Sequence, residues 1–202
     1  MGQQVCWIVG AAISKASPSC KLSLPWNNLC DNLIKLHRIP RITIVLWNKP
    51  KVGTFKLNTD GNFLKANSMA GMGEILRNDD GDIVIAVSIL TQCSSNNYVE
   101  AQVAWFGVNW CIEHSYTNFT LELDSMIMTN MMKKKRAYNY KMNNIIEYTS
   151  QMLEQANVNI IQCYGEANQV VDSLAKLAAT STEESYYFSF QQLPKNVKDH
   201  IN

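Results

Sequence analysis

Apolar and polar residues alternate through Phe55-Lys56-Leu57-Asn58-Thr59-Asp60, the period-two pattern of a strand with one covered face. Gly61 follows at once and predicts a tight turn, so the strand is expected to deliver Asp60 to its end. Residues 70–77 and 82–90 read as two further strands, joined through Asn78-Asp79-Asp80-Gly81 as an antiparallel hairpin. From Asn96 the period becomes helical: Val99, Val103, Phe106 and Trp110 fall at i, i+4, i+7 and i+11. Beside them run Glu100, Ala104, Gly107 and Cys111, and the three small members let the helix lie close against a sheet. Ser94, Ser95, Asn96 and Asn97 are the candidates to cap it.

Alternation returns over residues 118–124, a fourth strand ending in Asp124. Ser125 then leads into a methionine-rich helix, whose methionines read as core filler. That helix closes on Lys133-Lys134-Lys135-Arg136. Residues 140–154 form another amphipathic helix, 158–164 a fifth strand, and 166–180 a last helix with Val171, Leu174 and Ala178 on one side.

Composition narrows the class. With 47% hydrophobic and 17% charged residues in 202, the chain can build a core and is not globally disordered. A net charge of +1 gives no whole-chain attraction for nucleic acid, so such a partner would need local basic patches. The six cysteines show no C-x-x-C pair and no zinc spacing against His37, His114 or His200. They read as reduced thiols of an intracellular protein, nuclear or cytoplasmic. No stretch is long enough to span a membrane. The apolar start lacks a preceding basic region, which disfavours a signal peptide, and Cys6 stands where a myristoylation signal needs Ser or Thr. Residues 1–46 carry Pro25 and Pro40 without sustained periodicity and read as a weakly structured leader. Trp47-Asn48-Lys49-Pro50 opens the organised region, expected over 47–180, with 181–202 as a C-terminal extension.

Taken singly, the acidic positions have plain explanations. Asp60 fits an Asp-Gly surface turn, Glu100 a solvated residue favoured by the helix dipole, and Asp172 a helical residue facing water. Lys133, Lys134, Lys135 and Arg136 fit either a solvated cap on a helix C-terminus or a phosphate-contacting patch.

Together the segments resemble a known family. The motifs are Lys56-Leu57-Asn58-Thr59-Asp60-Gly61, Ala70-Gly71-Met72-Gly73-Glu74-Ile75-Leu76-Arg77-Asn78, Asn96-Asn97-Tyr98-Val99-Glu100, Leu121-Glu122-Leu123-Asp124-Ser125 and Glu166-Ala167-Asn168-Gln169-Val170-Val171-Asp172-Ser173-Leu174-Ala175. In this order they resemble the ribonuclease H domain, particularly the plant retrotransposon-type form. The stretch from Phe190 through Pro194 to Asp199 resembles the extension that follows it.

The resemblance implies an α/β fold, a five-stranded mixed sheet whose first three strands are antiparallel, with helices on both faces. It implies hydrolysis of the RNA strand of RNA–DNA hybrids at a site built from Asp60, Glu100, Asp124 and Asp172. Two Mg²⁺ ions roughly 3.5–4 Å apart, replaceable by Mn²⁺, can clamp the attacking water and the leaving oxygen of a phosphodiester. Asp60 would bridge them, with Glu100 and Asp124 on one and Asp172 on the other. Gly61, Asn62, Asn96 and Ser125 are implied as substrate contacts, Asn96 at the minor groove or alternatively as a simple cap. A monomer without an obligate protein partner is expected.

Two departures stand out. Gln162 occupies the position of the family's loop histidine, and Tyr164-Gly165-Glu166 lacks the usual arginine. The metal chemistry is expected to survive with slow turnover. The alternatives are a catalytically inactive nucleic-acid-binding relic, or an interaction module using the Trp- and Pro-bearing leader.

Overall fold

The computed structural model describes residues 45–137 and 140–201, so all but the last two positions of the expected leader lie outside the described residues. Strands β1 (Phe55–Leu64), β2 (Met69–Arg77) and β3 (Ile83–Gln92) form an antiparallel meander. The turn before β3 uses Gly81 at φ 85°, in the left-handed region that glycine tolerates. Helix α1 (Asn96–Glu113) leads to β4 (Asn118–Leu123), then come α2 (Met126–Lys134) and α3 (Tyr140–Leu153). Strand β5 (Asn157–Gln162), a 3₁₀ turn (Gly165–Ala167) and α4 (Gln169–Thr180) follow, so the helix expected from 166 starts three residues later. The sheet order is β5-β4-β1-β2-β3-β6, with β1, β4 and β5 parallel.

The sheet has six strands rather than five. The sixth, β6 (Ser185–Tyr187), pairs antiparallel with β3 and covers its edge. Three residues of Ser and Tyr carry too short an alternation to be read as a strand from sequence; backbone pairing to an open edge makes one. Beyond it, α5 (Lys195–Lys198) and the turn before it bury Val197 and Leu193.

Two apolar cores flank the sheet. One joins Leu57, Leu76 and Val87 to Ala104 and Val108 of α1, Met128 and Met132 of α2 and Ile146 of α3. The other joins Ile75 and Ala86 to Val171 and Leu174 of α4 and to Leu193 and Val197. Burying each large aliphatic side chain contributes about 1.5–3 kcal/mol. The methionines of α2 are core filler, as their spacing indicates: Met128, Met131 and Met132 are buried.

Helix α1 presses its small-residue line to the sheet, with Ala104, Gly107 and Cys111 buried, while Phe106 and Trp110 lie partly exposed on the flank. A β-carbon on Gly107 would meet Glu74 Oε2 at 2.6 Å and Leu57 Cδ2 at 2.9 Å. On the opposite face, β-carbons on Gly71 and Gly73 would lie 1.9 Å from the Ala175 carbonyl oxygen and 2.3 Å from that of Val171. Glycine on the strand and alanine on the helix set how closely α4 docks.

The close docking of α1 on the other face covers one unusual group. Glu74 is 2% exposed, Oε2 has no hydrogen-bond partner among the described residues, and burial pushes its carboxyl up to about 8.

Candidate active site

Strand β1 does not stop at Asp60. It runs on to Leu64, with Asp60 paired to Gly73 and Gly61 to Met72, so the expected Asp-Gly turn is absent. The physical reason for the glycine is close approach rather than a bend. A β-carbon there would lie 2.7 Å from Val99 Cγ1 and 3.0 Å from the backbone nitrogen of Glu100. The first turn of α1 therefore rests directly on β1 beside Asp60.

Asp124 reaches the same point from the other side. The parallel pairing of β1 with β4 ends at Thr59 and Leu123, so Asp60 and Asp124 are the next residues on adjacent strands. Ligand oxygens of Asp60, Glu100 and Asp124 all lie within 4.8 Å of one another. Burial, then Asp124, Glu100 and Asp172, push the Asp60 carboxyl up to about 8, against a 2.8 Å hydrogen bond from the Gly61 N–H. Burial and then Asp124 raise Glu100 to about 7, opposed by hydrogen bonds from Ser125 and Asn96. Asp124 is raised chiefly by burial. Carboxylates held together at this cost suit a hard divalent cation, since oxygen ligands are what Mg²⁺ and Mn²⁺ take.

Residues 58–178 match the family described as reverse transcriptase-like. The chain belongs to this family. It carries a ribonuclease H-like domain of retrotransposon type. A protein of Arabidopsis thaliana named as a candidate ribonuclease H protein is 27% identical over 142 residues, 69% of this chain. The chain spans only 23% of that relative's length. Among solved structures, ribonuclease H1 of the archaeon Halobacterium salinarum superposes with a TM-score of 0.58 at 19% identity, over 62% of this chain and 97% of the other. LC11 ribonuclease H1, a compost metagenome protein, in complex with an RNA/DNA hybrid, gives 0.56 at 14% identity, over 62% and 96%. The foamy virus protease–reverse transcriptase in complex with an RNA/DNA hybrid gives 0.54 at 15% identity, over 79% and 24%.

Within this ribonuclease H-like domain the other expected residues are placed as follows. Asp172, in the first turn of α4, is outside the three-carboxylate group; its Oδ2 accepts from Lys176 Nζ at 2.6 Å, an i,i+4 pair at the surface. It still lies near enough to raise Asp60 and Asp124 electrostatically. Asn96 is not the cap of α1. Ser95 is, accepting from the Tyr98 N–H, and Asn96 instead donates to Glu100 Oε1 at 2.8 Å and orients it. Ser125 caps α2, accepting from the Met128 N–H, and also meets Glu100. Asn62 lies on β1 two residues past Asp60. Gln162 ends β5, exposed, and donates to the Asp124 carbonyl at 3.3 Å.

The basic run sits at the far end of α2 from Ser125. A nine-residue helix spans about 14 Å, which separates the run from the carboxylates. Lys135 takes the left-handed C-cap conformation and is ion-paired with Glu154, while Lys133, Lys134 and Arg136 are exposed.

A buried polar group precedes Asp60 on β1 and was not foreseen from the sequence. Lys56 pairs with Glu122 at 2.8 Å, Asn58 donates to Glu122 Oε2 at 2.8 Å, and the Trp47 indole donates to Asn58 Oδ1 at 3.1 Å. The Arg77 guanidinium lies 4.4 Å over the Trp47 ring, and burial lowers its pKa to about 10. The signal was present: Lys56, Asn58 and Asp60 share one face of a strand whose other face is apolar. Three polar groups in a row on a strand covered on both sides require partners.

Proposed function

We propose that the chain is a divalent-cation-dependent endoribonuclease that cuts the RNA strand of RNA–DNA hybrids. The observation that carries this reading is the convergence of Asp60, Glu100 and Asp124 from β1, α1 and the end of β4, with oxygens within 4.8 Å. The hybrid as substrate class is supported by the neighbours solved with one bound.

Asp60, Glu100 and Asp124 would hold one cation, and Asp172 with Asp60 a second. The bound cations, Mg²⁺ or Mn²⁺, would make water nucleophilic near neutral pH and neutralise charge on the leaving oxygen. Asn96 and Ser125 fix Glu100 by hydrogen bonds, so the ligand set is oriented in advance. Asn96, exposed at the start of α1, is also positioned to meet a substrate backbone or minor-groove edge. Lys176 neutralises Asp172 from the solvent side and must yield it to a cation. Shape and 2′-hydroxyls, rather than base sequence, would select the hybrid.

One specific feature favours a second reading, a binding relic without turnover. Gln162 cannot exchange a proton as a histidine can, and its amide is engaged by the Asp124 carbonyl. Incubating a labelled hybrid with Mg²⁺ or Mn²⁺, beside an Asp60→Asn control, separates the two. Metal-dependent nicking of the RNA strand that disappears in the control supports the enzyme. Salt-sensitive hybrid binding with no cleavage under either metal supports the relic.

A further inference from the structure

Asn168 stands immediately before α4 and is 1% exposed. Asparagine is among the best residues at this position because its side chain can take up a free N–H of its own helix. Here it makes no such capping bond. The side chain turns into the sheet instead: Nδ2 donates to the Thr59 carbonyl at 3.1 Å, and Oδ1 accepts from Asn58 Nδ2 at 3.2 Å. Thr59 is where β1 stops pairing with β4, and it is covalently joined to Asp60. On the helix side, the Asn168 carbonyl accepts the Asp172 N–H at 3.1 Å, the first helical bond of the residue whose side chain matters. Asn168 thus spans the gap between the backbone of Asp60 and that of Asp172.

Asn58 holds Asn168 in turn. It is 2% exposed, donates to Glu122 as well as to Asn168, and accepts from the Trp47 indole. Trp47 lies outside residues 58–178, the part that matches the family. Buried amides whose nitrogen and oxygen are each hydrogen-bonded favour one geometry, because flipping either amide sets donor against donor or acceptor against acceptor.

We propose that Asn168, fixed by Asn58 and from outside the matched region by Trp47, is a positioning residue that holds Asp172 in register with Asp60, completing the site for a second divalent cation. This rests on the metal-dependent reading above. The three-carboxylate group draws on β1, α1 and the end of β4, and does not depend on α4. The relay therefore acts chiefly on the second cation, whose site alone needs Asp172, and less on the first, which shares only Asp60 with it.

The test is calorimetric titration of the full metal-free chain with Mn²⁺, for wild type, Asn168→Ala, Trp47→Phe and, as a control of comparable destabilisation, Leu174→Ala. Wild type is expected to bind two ions of unequal affinity. Asn168→Ala should leave the tighter event within about twofold and weaken the other by roughly 10–100-fold, as for other groups that orient metal ligands. Trp47→Phe, which keeps an aromatic ring but loses the indole N–H and the five-membered ring, should shift the weaker event in the same direction by a few-fold. Leu174→Ala should lower the melting temperature and keep both events. In hybrid cleavage, Asn168→Ala should lower kcat with KM unchanged. Equal loss of both events, or the same pattern in Leu174→Ala, assigns Asn168 a merely structural role and overturns the proposal. Two unchanged events overturn it as well, as does a wild type that binds one ion. A wild type that binds none overturns the metal-dependent reading itself.

Discussion

The backbone nitrogen of Glu100 lies 3.0 Å from where a β-carbon of Gly61 would stand. No other residue type fits at position 61 without moving the start of α1. The two neighbours that a β-carbon would meet, Val99 and Glu100, are the residues that place the carboxylate of Glu100 beside Asp60. Gly61→Ala is expected to fold, with the first turn of α1 displaced by the crowding against Val99 and Glu100, and to lose up to about 10²-fold in hybrid cleavage, the cost of a full ångström's misplacement of a reacting group. Retention of most activity would show that Glu100 tolerates the shift; a crystal structure or Mn²⁺ affinity of the variant reads the displacement directly.

Asp60 and Glu100 have folded pKa values of about 8 and about 7, above their ordinary carboxylate values. Such groups bind more protons folded than unfolded, so without cations stability falls as pH rises from about 4 toward 8. A cation binds the ionised forms and reverses this. Mg²⁺ is expected to raise the melting temperature clearly at pH 8 and little at pH 5.5, with protons released on binding. Titrations in buffers of different ionisation enthalpy count those protons; an identical Mg²⁺ effect at both pH values contradicts the prediction.

Glu74 carries a separate pH dependence. Its pKa is raised to about 8 by burial, with no ion pair to it among the described residues. Around it lie Thr59 across the strand pair, Leu57, and the Gly107 face of α1. Cys111 and Tyr186 are the nearby titratable groups, and both are protonated at neutral pH, with Cys111 driven up by burial and then by Glu74. The fold keeps Glu74 protonated where the unfolded chain ionises it, which removes up to about 1.4 kcal/mol of stability per pH unit between roughly pH 4.5 and 8. Glu74→Gln, of the same shape, should match wild type near pH 4.5 and exceed it by a few kcal/mol at pH 8 in urea unfolding. Equal pH profiles for the two would refute the assignment.

Gln162→His restores a proton-exchanging side chain at the end of β5, next to the carbonyl of Asp124. A positioned acid–base group contributes about 10²–10⁴-fold where proton transfer limits the rate. The substitution is expected to raise kcat at least about tenfold near pH 7, with KM for the hybrid unchanged. If proton transfer at this position does not limit the rate, kcat will stay flat.

Element types and order were legible in the sequence because each element repeats its own period. The alternation in residues 55–60 and 118–123 made strands, and the small line Ala104, Gly107, Cys111 made a helix face that fits closely on a sheet. The carboxylates could be named only through the family resemblance of the motifs that hold them; by periodicity alone Asp60 and Asp124 merely follow alternating runs, and Glu100 opens a helix. Gly61 was visible but misread. Local preference allows a glycine to turn, and only packing against Val99 shows that it is there for want of a side chain. The sixth strand was invisible, since Ser185–Tyr187 becomes a strand only by pairing with the edge of β3. The separation of Asp172 from the trio, the burial of Glu74 and the Trp47–Asn58–Asn168 relay were likewise decided by tertiary structure. Periodicity is written in neighbours a few residues apart. Hydrogen bonds spanning 109 and 110 residues, such as those from Asn168 to Thr59 and from Asn58 to Asn168, depend on where the whole chain has brought its ends.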